Sequence, residues 1–272
     1  MFKPSSLPRS AARVAAVALA AGTVCATAMT GSAGAIVKGQ DSTERYPFMV
    51  SIPLSAPDIH VYDAPCGGTL IDPQWVLTAA HCVDPDLVKL DGTVRVGSAQ
   101  RKSGGTVRAI DRTVIHPGYR LGSPNQNDLA LVRLARPVAE KPIRIAGEPG
   151  RPGTPTRLLG FGTVLDTTDL TKAEFPDRLQ ELDTRRGADD ECSPGRAGAT
   201  RLCTVSRTPG SMACFGDSGG PQIQQGRGGR WELIGTTSGD GDTDPACSTG
   251  PGLYTNVPAY ASWIWKTVHQ HG

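Results

Sequence analysis

Two features are scarce in this 272-residue sequence: long apolar runs and an excess of charge of either sign. Beyond residue 35 no apolar run is long enough to cross a bilayer as a helix, so we expect no membrane anchor there. The chain has 28 Lys and Arg against 26 Asp and Glu. It has no basic stripe with interleaved aromatic residues, which argues against nucleic acid as a partner. With 38% hydrophobic residues, the composition is that of a folded chain with a sizeable core.

The start of the chain differs from the rest, because it contains no acidic residue. Three basic residues precede an apolar run at residues 14–21, which is too short to span a bilayer. Small residues at 33–35 fit an Ala-x-Ala cleavage site. Residues 26–28 offer a second site, which would leave residues 29–35 as a short pro-segment. We therefore expect residues 1–35 to be a signal peptide and the protein to be secreted and extracellular.

The cysteines are consistent with export. There are seven in all, but Cys25 lies in the predicted signal peptide, so six remain in the predicted mature chain. An even number of cysteines in an exported chain predicts a disulfide framework. Spacing alone does not choose among the possible pairings.

Local patterns predict several β-strands. Residues 47–52 and 66–71 are apolar and strand-like, while 93–96 and 106–110 alternate or nearly alternate, as half-buried strands do. The segment 55–64 between the first two is polar, and we predict it to be irregular.

One stretch places a hydroxyl between glycines and next to an acid. Residues 214–221 read Cys-Phe-Gly-Asp-Ser-Gly-Gly-Pro, so Ser218 lies on a tight turn. Attack by this hydroxyl on a carbonyl would place negative charge on the carbonyl oxygen, which backbone N–H groups can stabilise. Gly216 and Ser218 can supply those donors. The same residue types also form ordinary surface turns, so this motif alone does not establish a nucleophile.

Two motifs upstream complete a possible triad. Residues 75–82 include an apolar run that leads to His81, and residues 127–134 place Asp128 before a strand-like run. The chain order is therefore His, Asp, Ser. In this order and in these motifs the sequence resembles the chymotrypsin/trypsin superfamily of serine endopeptidases.

The resemblance extends over nearly all of residues 36–272, and it implies an all-β fold. That fold has two six-stranded antiparallel β-barrels, with the active site between them, and a C-terminal helix. We expect the barrels at about residues 36–148 and 149–257, and the helix at about 258–269. Four apolar residues fall on one face of this helix: Tyr260, Trp263, Ile264 and Val268.

The resemblance also implies a role for each motif. His81 takes the proton of Ser218 during attack and gives it to the leaving amine, while Asp128 holds the imidazole and stabilises its cation. The backbone N–H groups of Gly216 and Ser218 bind the oxyanion.

An activating ion pair and three disulfides follow from the resemblance alone. The α-amino group of Ile36, released by cleavage, is expected to form a buried activating ion pair with Asp217. The six cysteines are expected to pair as Cys66 with Cys82, Cys192 with Cys203, and Cys214 with Cys247.

Substrate specificity departs from that of trypsin. Trypsin-type preference for Arg or Lys at P1, the residue whose carbonyl is attacked, rests on an acid six residues before the nucleophile, where this chain has Met212. Because a thioether cannot neutralise a buried guanidinium, we expect an uncharged P1 residue, apolar or of moderate size. Against this, one of Asp240, Asp242 and Asp244 could reach the pocket mouth and attract a cation. The further candidates for substrate binding are Ala213, Ser238, Gly239, Asp240 and Gly252.

Two other classes of function fit the sequence less well. A catalytically silent homologue acting as a binding protein usually lacks a triad residue, whereas this chain has all three. An α/β-hydrolase esterase would match Gly-x-Ser-x-Gly at residues 216–220, but its histidine follows the nucleophile. We expect peptide or protein substrates, protein protease inhibitors as possible partners, a monomer, and no cofactor. We also expect no metal, because the loop at 99–110, which holds calcium in many trypsins, contains no Asp or Glu.

Overall fold

The computed structural model describes residues 1–2 and 36–270, which leaves the rest of the predicted signal peptide, the pro-segment and Cys25 outside the described residues. Fifteen strands, one α-helix and five short 3₁₀ helices make up the described chain. The strands are β1 (Gln40–Asp41), β2 (Met49–Ala56), β3 (Val61–Asp72), β4 (Trp75–Thr78), β5 (Lys89–Leu90), β6 (Thr93–Val96), β7 (Thr106–Ile115), β8 (Ala130–Leu134), β9 (Arg144–Ile145), β10 (Pro155–Gly160), β11 (Gln180–Arg186), β12 (Arg201–Ser206), β13 (Pro221–Gln225), β14 (Trp231–Asp240) and β15 (Gly252–Asn256). The helix is α1 (Ala261–Gln270), and the 3₁₀ helices are Pro57–Ile59, Ala80–Cys82, Leu170–Lys172, Asp189–Glu191 and Val257–Tyr260.

The strands form two closed antiparallel barrels. In the first, the order β3-β4-β8-β7-β6-β2 closes because β2 also pairs with β3, and β5 extends β2 at one edge. In the second, the order β11-β10-β13-β14-β15-β12 closes through the pairing of β11 with β12. The prediction of two six-stranded antiparallel barrels followed by a C-terminal helix is therefore confirmed.

The sequence patterns explain which side of each strand faces a core. In β6, Val94 and Val96 are fully buried, while the alternate residues Thr93 and Arg95 are only half-buried. This is the two-residue period of a strand with one apolar face. All four residues of β4 are buried, because the strand lies between β3 and β8. His81 lies three residues after the end of this buried strand, in the 3₁₀ turn that follows it.

The prediction of an irregular segment at residues 55–64 was wrong. Strand β2 continues to Ala56, a 3₁₀ turn follows, and β3 begins at Val61, which pairs with Ala56. Val61 and Ala64 are buried, whereas the polar residues around them face outward. Two inward apolar side chains and the ladder of backbone hydrogen bonds outweigh the low strand propensity of the polar residues.

Two short strands and the C-terminal helix connect the two barrels. Strand β1, near the start of the domain, pairs with β11 of the second barrel, and β9, in the segment between the barrels, pairs in parallel with β14. At the C-terminal end, the ring of His116, which follows β7, lies 5.1 Å from the ring of Tyr260 and 4.9 Å from that of Trp263. The helix therefore packs against the first barrel. Within residues 36–270, no helix combines the length and the apolar character needed to cross a bilayer.

Candidate active site

A cavity of about 340 Å³ lies between the barrels and is lined by both. The barrels meet beside it backbone to backbone, where the N–H of Gly67 donates to the carbonyl of Ser218 at 2.7 Å. A Cβ on Gly67 would lie 2.5 Å from Cα of Gly220, and one on Gly219 would lie 2.2 Å from Oγ1 of Thr78. Side chains at these two positions would push the barrels apart, which explains why both are glycine.

His81 lies in the 3₁₀ turn after β4, and its ring lines the cavity. Its Nδ1 is 2.8 Å from Oδ2 of Asp128, and its backbone N–H donates to Oδ1 of the same carboxylate at 3.1 Å. These two contacts fix both the position and the rotation of the ring. They leave Nε2 as the nitrogen available to other groups.

Asp128 is almost fully buried, two residues before β8 begins. Besides the two contacts from His81, its Oδ2 accepts a hydrogen bond from the hydroxyl of Ser238 at 2.6 Å. Its backbone carbonyl accepts from the hydroxyl of Thr255 at 2.8 Å. The carboxylate is thus held from both barrels.

The histidine and the carboxylate shift each other's pKa. Burial by itself would raise the pKa of Asp128, but the His81 charge and the hydrogen bonds outweigh it and hold the pKa below its usual value. Burial would likewise lower the pKa of His81, but the charge and hydrogen bond of Asp128, with a contribution from Asp84, raise it above the usual value. Asp128 therefore stays ionised and favours the protonated imidazole.

Ser218 is half-buried and lines the same cavity as His81. In the described residues no hydrogen bond joins its hydroxyl to the His81 ring; such contacts are often long before substrate binds. Its loop is held by turn hydrogen bonds, from Gly219 N–H to Thr237 and from Gly220 N–H to Asp217. The serine thus lies on a fixed turn in the cavity wall.

Gly216 precedes Ser218 by two residues and has φ of 89°, in the region that favours glycine. A Cβ there would lie 2.7 Å from the ring of Phe175 and 3.0 Å from Cα of Gly162. Only a residue without a side chain fits without displacing the ring. This leaves the backbone N–H groups of the loop next to the cavity.

Asp217 points away from the cavity into a buried site. Its carboxylate accepts hydrogen bonds from the N–H of Gly162 and of Cys214, both at 2.9 Å. No cationic side chain among the described residues pairs with it. Burial raises its pKa to about 7, which the two backbone hydrogen bonds only partly offset.

Ile36 is fully buried and lies in one apolar cluster with Met212 and Tyr254. The next residue, Val37, donates its N–H to the carbonyl of Met212 at 3.1 Å. Both Ile36 and Lys38 have left-handed backbone, with φ of 64° and 55°. Left-handed backbone favours glycine, which the chain has at neither position.

The predicted substrate-binding residues fall into two groups. Five of them line the cavity: Ala213, Ser238, Gly239, Asp240 and Gly252. The sixth, Met212, does not line it, because its side chain is buried behind the wall with its sulfur 3.9 Å from the Tyr254 hydroxyl.

Asp240 is the one acidic residue of the three at 240–244 that lines the cavity. It ends β14 opposite Gly252 of β15. Burial, and then the charge of Asp242, raise the pKa of Asp240, while the Arg196 charge opposes them. Asp240 is therefore the one acidic residue among those that line the cavity.

Two parts of the site were missed by sequence reasoning. The far wall of the cavity is apolar, and its lining residues include Leu54, Ala56, Val61, Ala64 and Val88. Most of these belong to the hairpin that we had predicted to be irregular. The other missed residue is Asn125, whose amide contacts the Asp128 carboxylate at 3.2 Å. Its distance of three residues from Asp128 was the available signal.

Three disulfides brace the site, and they join the cysteines that the resemblance implies. They link Cys66 to Cys82, Cys192 to Cys203, and Cys214 to Cys247. The first closes a separation of 16 residues next to His81, which stabilises the fold by roughly 3 kcal/mol in the chain-entropy account.

Comparison with known proteins agrees with this geometry. The family model described as Trypsin matches residues 36–264. The chain is 34% identical over 212 residues to human kallikrein-14, covering 75% of this chain and 74% of the relative. It is 33% identical over 250 residues to a trypsin from Sarcophaga bullata, covering 87% and 90% respectively. A solved structure titled neuropsin, a serine protease expressed in the limbic system of mouse brain, aligns with a TM-score of 0.70 at 28% identity, covering 86% of this chain and 100% of its own. The chain therefore belongs to the trypsin family and is a serine-type endopeptidase.

Proposed function

We propose that the protein is a secreted endopeptidase that cleaves peptide bonds through an acyl-enzyme on Ser218. The observation that carries the proposal is the His81 ring, which is fixed by two contacts to Asp128 and faces the cavity that Ser218 lines. Secretion rests on the signal-peptide pattern of the sequence. The partners that follow are peptide or protein substrates, together with protein protease inhibitors, and the enzyme acts as a monomer.

The proposed reaction has two halves. Neutral His81 takes the hydroxyl proton as Ser218 Oγ attacks the carbonyl carbon, and the oxyanion accepts hydrogen bonds from the N–H groups of Gly216 and Ser218. The imidazolium, stabilised by Asp128, then protonates the leaving amine. Water repeats the sequence on the acyl-enzyme, which releases the acid and restores the serine.

Activation is proposed to depend on the amino terminus. Cleavage before Ile36 would release an α-amino group at a residue that is buried together with Met212. Asp217 is a buried carboxylate with two backbone donors and no cationic side chain as partner. An ion pair between them would fix the loop that carries Gly216 and Ser218.

A fluorophosphonate probe tests the proposed function. The mature, disulfide-bonded protein should take up one label per chain, at Ser218, because only an activated serine reacts with such a probe. Replacing His81 with alanine should abolish labelling, since the base is lost. If the mature wild type takes up no label and cleaves no peptide, the catalytically silent binding protein is the better description.

We also propose an uncharged P1 residue. On matched substrates with Arg, Phe, Leu or Ala at P1, kcat/KM should favour Phe or Leu over Arg by about tenfold or more, because no acid lies at the pocket floor to pair with a buried guanidinium. The measurement is steady-state kinetics at constant pH. A preference for Arg that disappears in Asp240→Asn would contradict the proposal and assign the specificity to the acid on the wall.

A further inference from the structure

The loop that precedes Asp128 brings a second polar side chain to its carboxylate. Nδ2 of Asn125 lies 3.2 Å from Oδ2 of Asp128 and 3.5 Å from Nδ1 of His81. On the other side of the amide, Oδ1 of Asn125 accepts a hydrogen bond from the N–H of Gly122 at 3.0 Å. A carboxylate can only accept and a backbone N–H can only donate, so both neighbours require the NH₂ group to face Asp128.

The loop holds this amide in place. Arg120 and Gln126 exchange backbone hydrogen bonds of 3.0 and 2.9 Å, which close the segment containing Asn125. Gln126 in turn accepts from the guanidinium of Arg201 in the second barrel at 2.6 Å. Because the amide is fixed before substrate binds, its contact with Asp128 needs little further ordering.

We propose that Asn125 is a positioning residue of the proposed triad. Its amide donates a hydrogen bond to Oδ2 of Asp128 and thereby weakens the interaction of that oxygen with protonated His81. The inference rests on the proposed function and extends it.

Asn125 has this proposed effect because several donors compete for one oxygen of Asp128. Oδ2 of Asp128 accepts from Nδ1 of His81 at 2.8 Å, from Ser238 at 2.6 Å and from Asn125 at 3.2 Å. Three donors share an oxygen that has two lone pairs, so each added donor lowers the negative charge that remains for the imidazolium. The positive end of the Asn125 amide also lies next to Nδ1, which disfavours a charged ring. The base therefore stays neutral, and active, to a lower pH.

The other titratable groups around the pair act on it differently. Asp84 raises the pKa of His81 through its charge. Tyr119 and Tyr260 lie near enough to Asp128 to interact with its charge, and burial raises the pKa of both, so they stay neutral. Like Ser238, Asn125 is a neutral donor to Asp128, so its removal changes the hydrogen bonding of the carboxylate without removing a charge.

The test compares the variants Asn125→Leu and Asn125→Asp with the wild type. The pH dependence of kcat/KM is measured on an ester substrate that has a P1 residue and no residue before it, so that contacts elsewhere in the cleft do not contribute. The midpoint of the acid limb reports the pKa of His81 in the free enzyme. It should rise by about 0.5 unit in Asn125→Leu, which loses the donor, and by about 1 unit or more in Asn125→Asp, which adds a negative charge. Gln225→Leu is the matched control, the same amide-to-leucine change at the exposed end of β13, and its midpoint should not move.

A second readout separates the two proposals. Titration of the His81 ring protons by NMR gives the same pKa without turnover, and it applies even to a variant of low activity. An active enzyme whose acid limb and ring titration are unchanged in both Asn125 variants would overturn this inference and leave the proposed function standing. A wild type without activity would overturn the proposed function, and the NMR titration would still decide whether Asn125 acts on His81.

Discussion

Replacing Ser218 with alanine should lower kcat for peptide hydrolysis by about 10⁶-fold, with little change in KM. The substitution removes the hydroxyl that forms the acyl-enzyme, but it leaves the cavity, the backbone donors and the hold of Asp128 on His81 unchanged. A residual rate of roughly 10³-fold over water should remain, because the oxyanion donors still act on a bound substrate. The rates are measured by single-turnover and steady-state kinetics with the same P1 residue.

A variant with both Ser218 and His81 replaced by alanine tests whether the two residues act together. Since the two residues are proposed to act as one unit, Ser218→Ala combined with His81→Ala should be about as slow as Ser218→Ala alone. Losses that multiply in the double variant would show that the two side chains act independently. Hydrolysis that survives in Ser218→Ala at near wild-type rate would remove the serine from the mechanism.

The second large effect concerns the amino terminus. A chain that begins at Ile36 should be at least about 100-fold more active than one with a single uncleavable residue before it. Among the described residues, the carboxylate of Asp217 accepts hydrogen bonds only from the N–H groups of Gly162 and Cys214 in its buried site. Loss of one member of a buried ion pair costs about 3–5 kcal/mol. Both forms are assayed on one peptide substrate, with the terminus of each verified by mass spectrometry. Equal turnover by the two forms would refute the coupling.

The pH dependence of stability should differ between the same two forms. In the extended form, burial raises the pKa of Asp217 to about 7, so the folded state binds more protons than the unfolded state. The contribution of Asp217 to the stability of the extended form is then complete below its unfolded pKa of about 4 and is lost as pH rises through 7. In the Ile36 form the amine is expected to have a folded pKa above its unfolded value of about 7.7–8.0. Its contribution is complete below that value and is lost as pH rises through the folded pKa.

The candidate catalytic residues carry short-range signals in the sequence. His81, Asp128 and Ser218 each lie in a local motif, and the strand at 93–96 has a simple alternation. The hairpin around residues 55–64 was missed because its strand pairing depends on a few buried apolar residues among polar ones. The position of Met212 depends on packing against Ile36, which is distant in sequence.

Asn125 shows a different limit of sequence reasoning. Its closeness to Asp128 along the chain was visible, but the direction of its amide depends on the closure of the loop between Arg120 and Gln126. The crossing of the chain ends was equally hidden, because β1 pairs with a strand about 140 residues away. Such contacts follow from tertiary structure and leave no periodic pattern.

The glycine contact between the barrels has a consequence for how this enzyme loses function. The proposed base and nucleophile belong to different barrels, and Gly67 joins them through one backbone hydrogen bond to Ser218. A displacement of about 1 Å between the barrels would misalign the reacting atoms and can cost about 100-fold in rate, although every strand stays paired within its own barrel. Mild heating or dilute denaturant can thus abolish activity while the circular dichroism spectrum of the enzyme is unchanged. Residual activity then measures how well the two barrels are docked, not the fraction of folded protein.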